Sequence, residues 1–102
     1  MQYADLTTAS FRGSDFRRAN LENASLRDTD LNGSNLGSSD LRETDLSRAD
    51  LRNCDLQSID WERITNINLA NVFGVREART GFVQWAVGHG AVLVESDPDW
   101  FE

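Results

Sequence analysis

The chain has 102 residues, 39% of them hydrophobic, with ten basic against seventeen acidic side chains and a net charge of −7. That is the length of one domain, and it carries no apolar run long enough to span a bilayer and no basic, apolar leader, so a cytoplasmic location with no membrane contact is expected. The acidic, aromatic-poor balance argues against direct nucleic-acid binding, and a single cysteine excludes an internal disulfide.

A large apolar residue returns at every fifth position from the first repeat onward: Leu6, Phe11, Phe16, Leu21, Leu26, Leu31, Leu36, Leu41, Leu46, Leu51, Leu56 and Trp61. Before each stands an Asp, Asn or Ser, and two places before it stands a small residue or, at the end, Cys54 and Ile59. Neither regular element accommodates that period. Five residues advance a helix by about 500°, which scatters the leucines round its axis. Five is odd, so on a strand they would alternate between faces. The chain must therefore turn once per repeat. Within a repeat the small and large residues share an inward face, and the polar residue between them points outward, where its side chain can bond nearby backbone at a turn. The expected fold is an all-β solenoid whose layers stack at roughly 4.8 Å.

The period alone leaves the number of sides open. Ala19-Asn20-Leu21 and Ala49-Asp50-Leu51, with their neighbours, resemble the A(D/N)Lxx motif of the pentapeptide-repeat family over about residues 4–63. The resemblance implies a right-handed quadrilateral β-helix with four repeats per coil, hence about three coils. The stacked columns would be Leu6/Leu26/Leu46, Phe11/Leu31/Leu51, Phe16/Leu36/Leu56 and Leu21/Leu41/Trp61.

After Trp61 the beat slips. The pattern is expected to resume at Ile64 and Leu69, with Ile67 as the inward partner of Leu69, in a shifted partial coil over 64–73. The repeat domain is accordingly read as 1–74 and a capping segment as 75–102. In that segment Thr80 is the candidate cap of a helix over about 81–87 that carries Phe82, Trp85 and Ala86 on one side. Gly88-His89-Gly90 reads as a stop and turn, Ala91-Val92-Leu93-Val94 as a short strand, and Ser96-Asp97-Pro98 as the start of a second helix. A short solenoid cannot leave its end layers bare. Phe82, Trp85, Val92, Val94, Trp100 and Phe101 are therefore candidate contacts either for a cap or for a homodimer through a coil end. At the other end, Met1, Gln2 and Tyr3 or a second subunit would cover Phe11 and Phe16.

No catalytic constellation is visible. His89 sits between two glycines, and no second His or Cys completes a zinc site. Cys54 belongs to the inward small column. The acids follow the repeat rather than any catalytic asymmetry, and neither a phosphate loop nor a calcium-binding nonapeptide occurs. No enzyme activity, cofactor or metal is expected. The outward surface remains, with Asp15, Asp30, Asp40, Asp45, Asp50, Asp55 and Asp60 as the candidate acidic surface. The first reading is a non-enzymatic, rigid module that binds a protein partner.

The family resemblance implies an alternative, a bacterial DNA mimic that binds a type II topoisomerase such as gyrase, inhibiting it or protecting it from quinolones. Residues 1–63 hold twelve acids against eight arginines, a net of 8 − 12 = −4. A DNA segment as long as three coils carries about nine charges. The net charge density is thus about half that of DNA, and interleaved arginines weigh against mimicry.

Overall fold

The five-residue beat becomes a turn in every repeat. In the computed structural model, which describes residues 2–95, the amide three residues after the large side chain donates to that residue's carbonyl in every repeat from Leu6 to Leu51. Examples are Ala9 N to Leu6 O at 3.0 Å, Ala24 N to Leu21 O at 2.9 Å and Cys54 N to Leu51 O at 3.1 Å. The third residue of each turn is left-handed, with φ between 57° and 65° at Thr8, Arg18, Asn23, Asp28, Ser38, Glu43, Arg48, Asn53 and Ser58. A left-handed third position with that hydrogen bond is the pattern of a type II turn. Glycine, which has no Cβ penalty there, takes the same place at Gly13 (φ 68°) and Gly33 (φ 74°).

Between turns the chain runs straight for too few residues to make a conventional strand. It pairs instead through single parallel bridges: Asp5 with Ser25, Ser10 with Asp30, Asp15 with Asn35, Asn20 with Asp40, and onward to Asn35 with Asp55. Each partner stands four repeats further along, so the chain takes four sides before it returns above itself. Each bridge is carried by two ladder bonds, such as Leu26 N to Asp45 O at 2.8 Å and Asp45 N to Ala24 O at 3.1 Å. The corners add a third, such as Asp28 N to Ser47 O at 3.1 Å. Turn and ladder together satisfy the backbone without long strands.

The large residues form the core. Leu21, Leu26, Leu31, Leu36, Leu41, Leu46, Leu51 and Leu56 are buried, as are Phe16 and Trp61. Leu6 and Phe11 pack against this cluster but are only partly buried. Phe11 meets Phe16 edge to face, with ring centroids 5.0 Å apart. Tyr3 occupies a left-handed corner and is 71% exposed, so it does not cover that end.

The small column carries its own hydrogen bonds. Thr29 Oγ1 donates to Leu6 O, Ser34 Oγ to Phe11 O, Thr44 Oγ1 to Leu21 O and Cys54 Sγ to Leu31 O. Each reaches back to the layer before. Ser39, the same residue type in the same column, has a buried Oγ with no partner.

Past Asp60 each circuit of the coil is longer by a single residue. Asp45 now bridges to Asn66, Asp50 to Asn71 and Asp55 to Arg76. One residue is inserted between Asp60 and Asn66, where a 3₁₀ turn, Trp61–Arg63, replaces the usual corner. The insertion corrects the sequence expectation for this stretch. Ile67, not Leu69, takes the large inward position and closes the next turn through Ala70 N to Ile67 O. Leu69 falls on the left-handed corner (φ 62°) and is 53% exposed. Ile64 is buried, as its apolar character requires.

The chain then leaves the ladder for one α-helix, α1, Phe82–Gly88. Its N-cap is Gly81 (φ 99°), not Thr80, and no side chain caps it. At its other end Gly90 N donates to Val87 O and Ala91 N to Ala86 O around the left-handed Gly90, which is a Schellman motif. A side chain at Gly90 would be strained by its left-handed φ, and its Cβ would crowd Asn68, 3.2 Å from that residue's Cα and against its Oδ1. Phe82 and Ala86 point inward, and Phe82 and Trp85 pack with Trp61 in an aromatic cluster. The expected strand over 91–94 reduces to a single bridge, Val92 with Asn71, while Leu93 is 51% exposed. Val92 and Val94 are half-buried. The expected second helix at Ser96, Asp97 and Pro98 lies outside the described residues, as do Met1, Trp100 and Phe101.

Candidate interaction surface

The outward Asp and Asn side chains are tied first to their own turns. Asp5 Oδ1 accepts the amide of Thr7, Asp15 that of Arg17, Asp30 that of Asn32, Asp40 that of Arg42, Asp45 that of Ser47, Asp50 that of Arg52 and Asp55 that of Gln57. Asn20, Asn35, Asn66 and Asn71 do the same. This bond explains why the position prefers Asp or Asn over a longer carboxylate.

The tether also aims the second carboxylate oxygen. Where the residue two places on is Arg, its guanidinium folds back onto both oxygens, Nε donating to Oδ1 and Nη2 to Oδ2. Arg17 meets Asp15 at 3.0 and 2.8 Å, Arg42 meets Asp40 at 3.0 and 2.8 Å, and Arg52 meets Asp50 at 2.9 and 2.6 Å. Other arginines cross between layers: Arg12 to Asp30 at 3.0 Å, Arg48 to Asp28 at 3.0 Å, Arg63 to Glu43 at 3.5 Å and Arg27 to Asp45 at 3.8 Å. The hydrogen bonds from Arg17 hold the Asp15 carboxyl down at about 2, and those from Arg42 lower Asp40. Burial pushes Asp50 upward, but the bonds from Arg52 outweigh it and leave the group lowered.

Of the seven candidate acidic positions, Asp15, Asp30, Asp40, Asp45 and Asp50 thus face an arginine. Asp55 is bonded to the Gln57 amide. Asp60 is exposed and precedes the 3₁₀ turn without capping it. The surface is a mosaic of paired charge rather than a bare acidic stripe.

One side carries a depression that the motif did not announce. The position after the large residue reads Arg17, Gly37, Gln57 down the third side. The missing side chain at Gly37 opens a notch of about 580 Å³ lined by Asp15, Arg17, Arg18, Asn35, Gly37, Ser38 and Gln57. Its only advance signal is a glycine at a variable place, and the neighbours that give it meaning lie one full coil away on either side.

The remaining candidates are structural in their surroundings. Cys54 is buried, and burial pushes its thiol up to about 12. His89 is exposed in its turn, with Nδ1 2.8 Å from Trp85 O and its ring 4.5 Å from that of Trp85. No group of His, Cys, Asp and Glu suited to a metal ion occurs among the described residues. No helix among them is long and apolar enough to cross a membrane.

A chain that turns in every repeat and pairs with itself four repeats on is a repeat protein whose sides are built from stacked columns. The family model for pentapeptide repeats matches residues 1–28 and 19–57, with eight copies, and the chain belongs to that family. Among curated proteins no sequence relative is found.

Membership of that family, and the likeness to a solved pentapeptide repeat protein, imply a right-handed quadrilateral β-helix. That solved protein is HetL, involved in heterocyst differentiation regulation in the cyanobacterium Nostoc sp. strain PCC 7120. It is 26% identical with a TM-score of 0.57, over 76% of this chain and 33% of that one. Another is QnrB1, a plasmid-mediated fluoroquinolone resistance protein, 17% identical with a TM-score of 0.68, over 94% of this chain and 44% of that one. A third, from the Arabidopsis thaliana thylakoid lumen, is 29% identical over 72% of this chain and 54% of that one, with a TM-score of 0.36. The chain therefore spans a third to about half of the length of these proteins.

Proposed function

We propose that the chain is a non-enzymatic interaction module: three stacked coils that present flat, charged sides to a protein partner, closed at one end by the segment from residue 75 onward. The fixed register of the outer side chains carries this reading. Each Asx bond pins a carboxylate and each folded-back guanidinium pins a second group, as at Asp40 and Arg42. A partner meets a surface that is already ordered, so binding costs little conformational entropy. The inward positions of the described repeats are filled by packed apolar and small side chains, and a cytoplasmic setting suits the free thiol of Cys54.

The DNA-mimic alternative has the likeness to QnrB1 in its favour, which at 17% identity speaks to fold alone. Against it stand the five arginine-faced aspartates, since each ion pair removes net negative charge from the sides.

Photo-cross-linking groups placed one at a time on the four sides test the module reading in cells. Capture of one protein from one side, with the other sides silent, is the expected result. Equal or absent capture from all four would sink it. A supercoiling assay with gyrase separates the alternatives, and inhibition at micromolar protein would favour the mimic.

A further inference from the structure

The notch at Gly37 has properties that the repeat does not require. The glycine is not there for its backbone. Its φ is not left-handed, unlike Gly13 and Gly33, so any residue could adopt it. Within the regular repeats, the equivalent place is otherwise filled by Thr7, Arg12, Arg17, Glu22, Arg27, Asn32, Arg42, Ser47, Arg52 and Gln57. A Cβ at Gly37 would sit 3.0 Å from Asn35 Oδ1 and 3.9 Å from Arg17 Cγ, so even alanine would begin to fill the space. The depression thus exists because one side chain is missing between two long ones.

The electrostatics of the notch are also unlike those of the rest of the chain. Asp15 is already held by Arg17 through two hydrogen bonds. Arg18, on the adjoining corner, donates its backbone amide to Gly37 O at 3.0 Å, but its guanidinium has no carboxylate, carbonyl or ring partner among the described residues. By contrast, Arg12, Arg17, Arg27, Arg42, Arg48 and Arg63 are in ion pairs, Arg76 bonds Asn53 O and Arg79 lies over Trp61. Asp15, Arg17 and Arg18 sum to −1 + 1 + 1 = +1 in a chain of net −7. The amides of Asn35 and Gln57 and the hydroxyl of Ser38 complete a polar lining.

We propose that this notch receives an acidic side chain, Glu or Asp, projecting from a protein partner. The guanidinium of Arg18 pairs with the incoming carboxylate, and the neutral groups around it add hydrogen bonds without opposing charge. The opening is too polar to hold a small molecule tightly by burial, whereas a side chain carried on a macromolecule needs only a weak local anchor. A charge-assisted hydrogen bond from arginine supplies that anchor with directional preference. The inference rests on the interaction-module reading and adds the side and the chemistry of the contact.

The experiment is a titration of the isotope-labelled protein, followed by amide chemical shifts at low ionic strength, where exposed charge pairs are least screened. The probes are N-acetyl-glutamate N-methylamide, its glutamine counterpart and inorganic phosphate. The expected result is a saturable response at Arg18, Gly37 and Ser38 to the glutamate probe, with a dissociation constant on the order of 10 mM, and none to the glutamine probe. Arg18→Asn, which keeps a residue tolerant of the left-handed corner, should weaken that response about fivefold. Gly37→Gln should abolish it while the melting curve shows a folded protein.

If Gly37→Gln fails to fold, Arg18→Asn still decides the matter. A response spread over all arginine-bearing sides, one unchanged in Arg18→Asn, or one to phosphate alone would overturn the proposal. So would silence from the wild type. Cross-linking on the four sides is read separately, so a failed notch would leave the module reading standing.

Discussion

Cys54 Sγ donates to Leu31 O at 3.0 Å, in the place where Ser34 and Thr44 donate to Phe11 O and Leu21 O. The thiol is used here as a buried hydrogen-bond donor, one layer joined to the next. Its ionisation is pushed from 9.0 up to about 12, chiefly by burial. A folded-state value above the unfolded one gives stability that is complete below pH 9 and is lost as pH rises from about 9 toward 12. Thermal melts across pH 7 to 11 should therefore decline in the alkaline range, and Cys54→Ser should flatten that part of the decline. An identical alkaline loss in the variant would refute the assignment.

Ser39 and Ser34 make a matched pair. Ser34 Oγ is satisfied by Phe11 O at 2.7 Å, while Ser39 Oγ is buried without a partner. Ser34→Ala should cost about 1 kcal/mol through the lost bond, and Ser39→Ala should be neutral or stabilising because an unsatisfied hydroxyl is removed. Chemical denaturation of both variants measures the difference directly. A loss at Ser39 equal to that at Ser34 would mean that its hydroxyl has a partner in solution.

Leu69 is the side chain displaced by the inserted residue. It stands at φ 62° and is 53% exposed, so it contributes little burial while bearing the left-handed penalty. Leu69→Asn should raise stability by about 0.5–1 kcal/mol, since Asn tolerates that corner. A lower melting temperature would show that Leu69 is covered in solution.

Acid should weaken the fold through the turn aspartates. Asp15 is held at about 2 by its hydrogen bonds from Arg17, and Asp5, Asp40 and Asp50 are also lowered from the ordinary 3.8. A lowered folded-state value gives stability that is present above about pH 4 and lost as pH falls toward 2. Melting temperatures should hold between pH 7 and 5 and drop below 4. Asp40→Asn, which keeps the oxygen that accepts the Arg42 amide but not the charge, should reduce the size of that drop.

Phe82, Trp85 and Trp61 pack against one another within the chain. Phe82 is 1% exposed against Trp61, with ring centroids 5.7 Å apart. Phe82→Ala should cost about 3–5 kcal/mol and lower the melting temperature equally at every protein concentration. A loss that shrinks at high concentration would indicate that this end joins two subunits.

The period, the inward columns and the polar residue of each turn are legible from the residues alone. They depend on local chemistry repeated often enough that one reading explains them all: Leu for the core, a small residue beside it, and Asp or Asn for the Asx bond. The Asp-large-Arg spacing that pairs Asp40 with Arg42 is equally present in the text of the chain. The rest depends on how the coils stack. A residue inserted near Asp60 lengthened the circuit and so exchanged the roles of Ile67 and Leu69, although both are aliphatic and equally suited to a core. The notch at Gly37 exists only because stacking sets it between Arg17 and Gln57. Period five fixes what a residue is within its repeat. Which residues meet across layers follows from the length of the circuit, and a single insertion resets it.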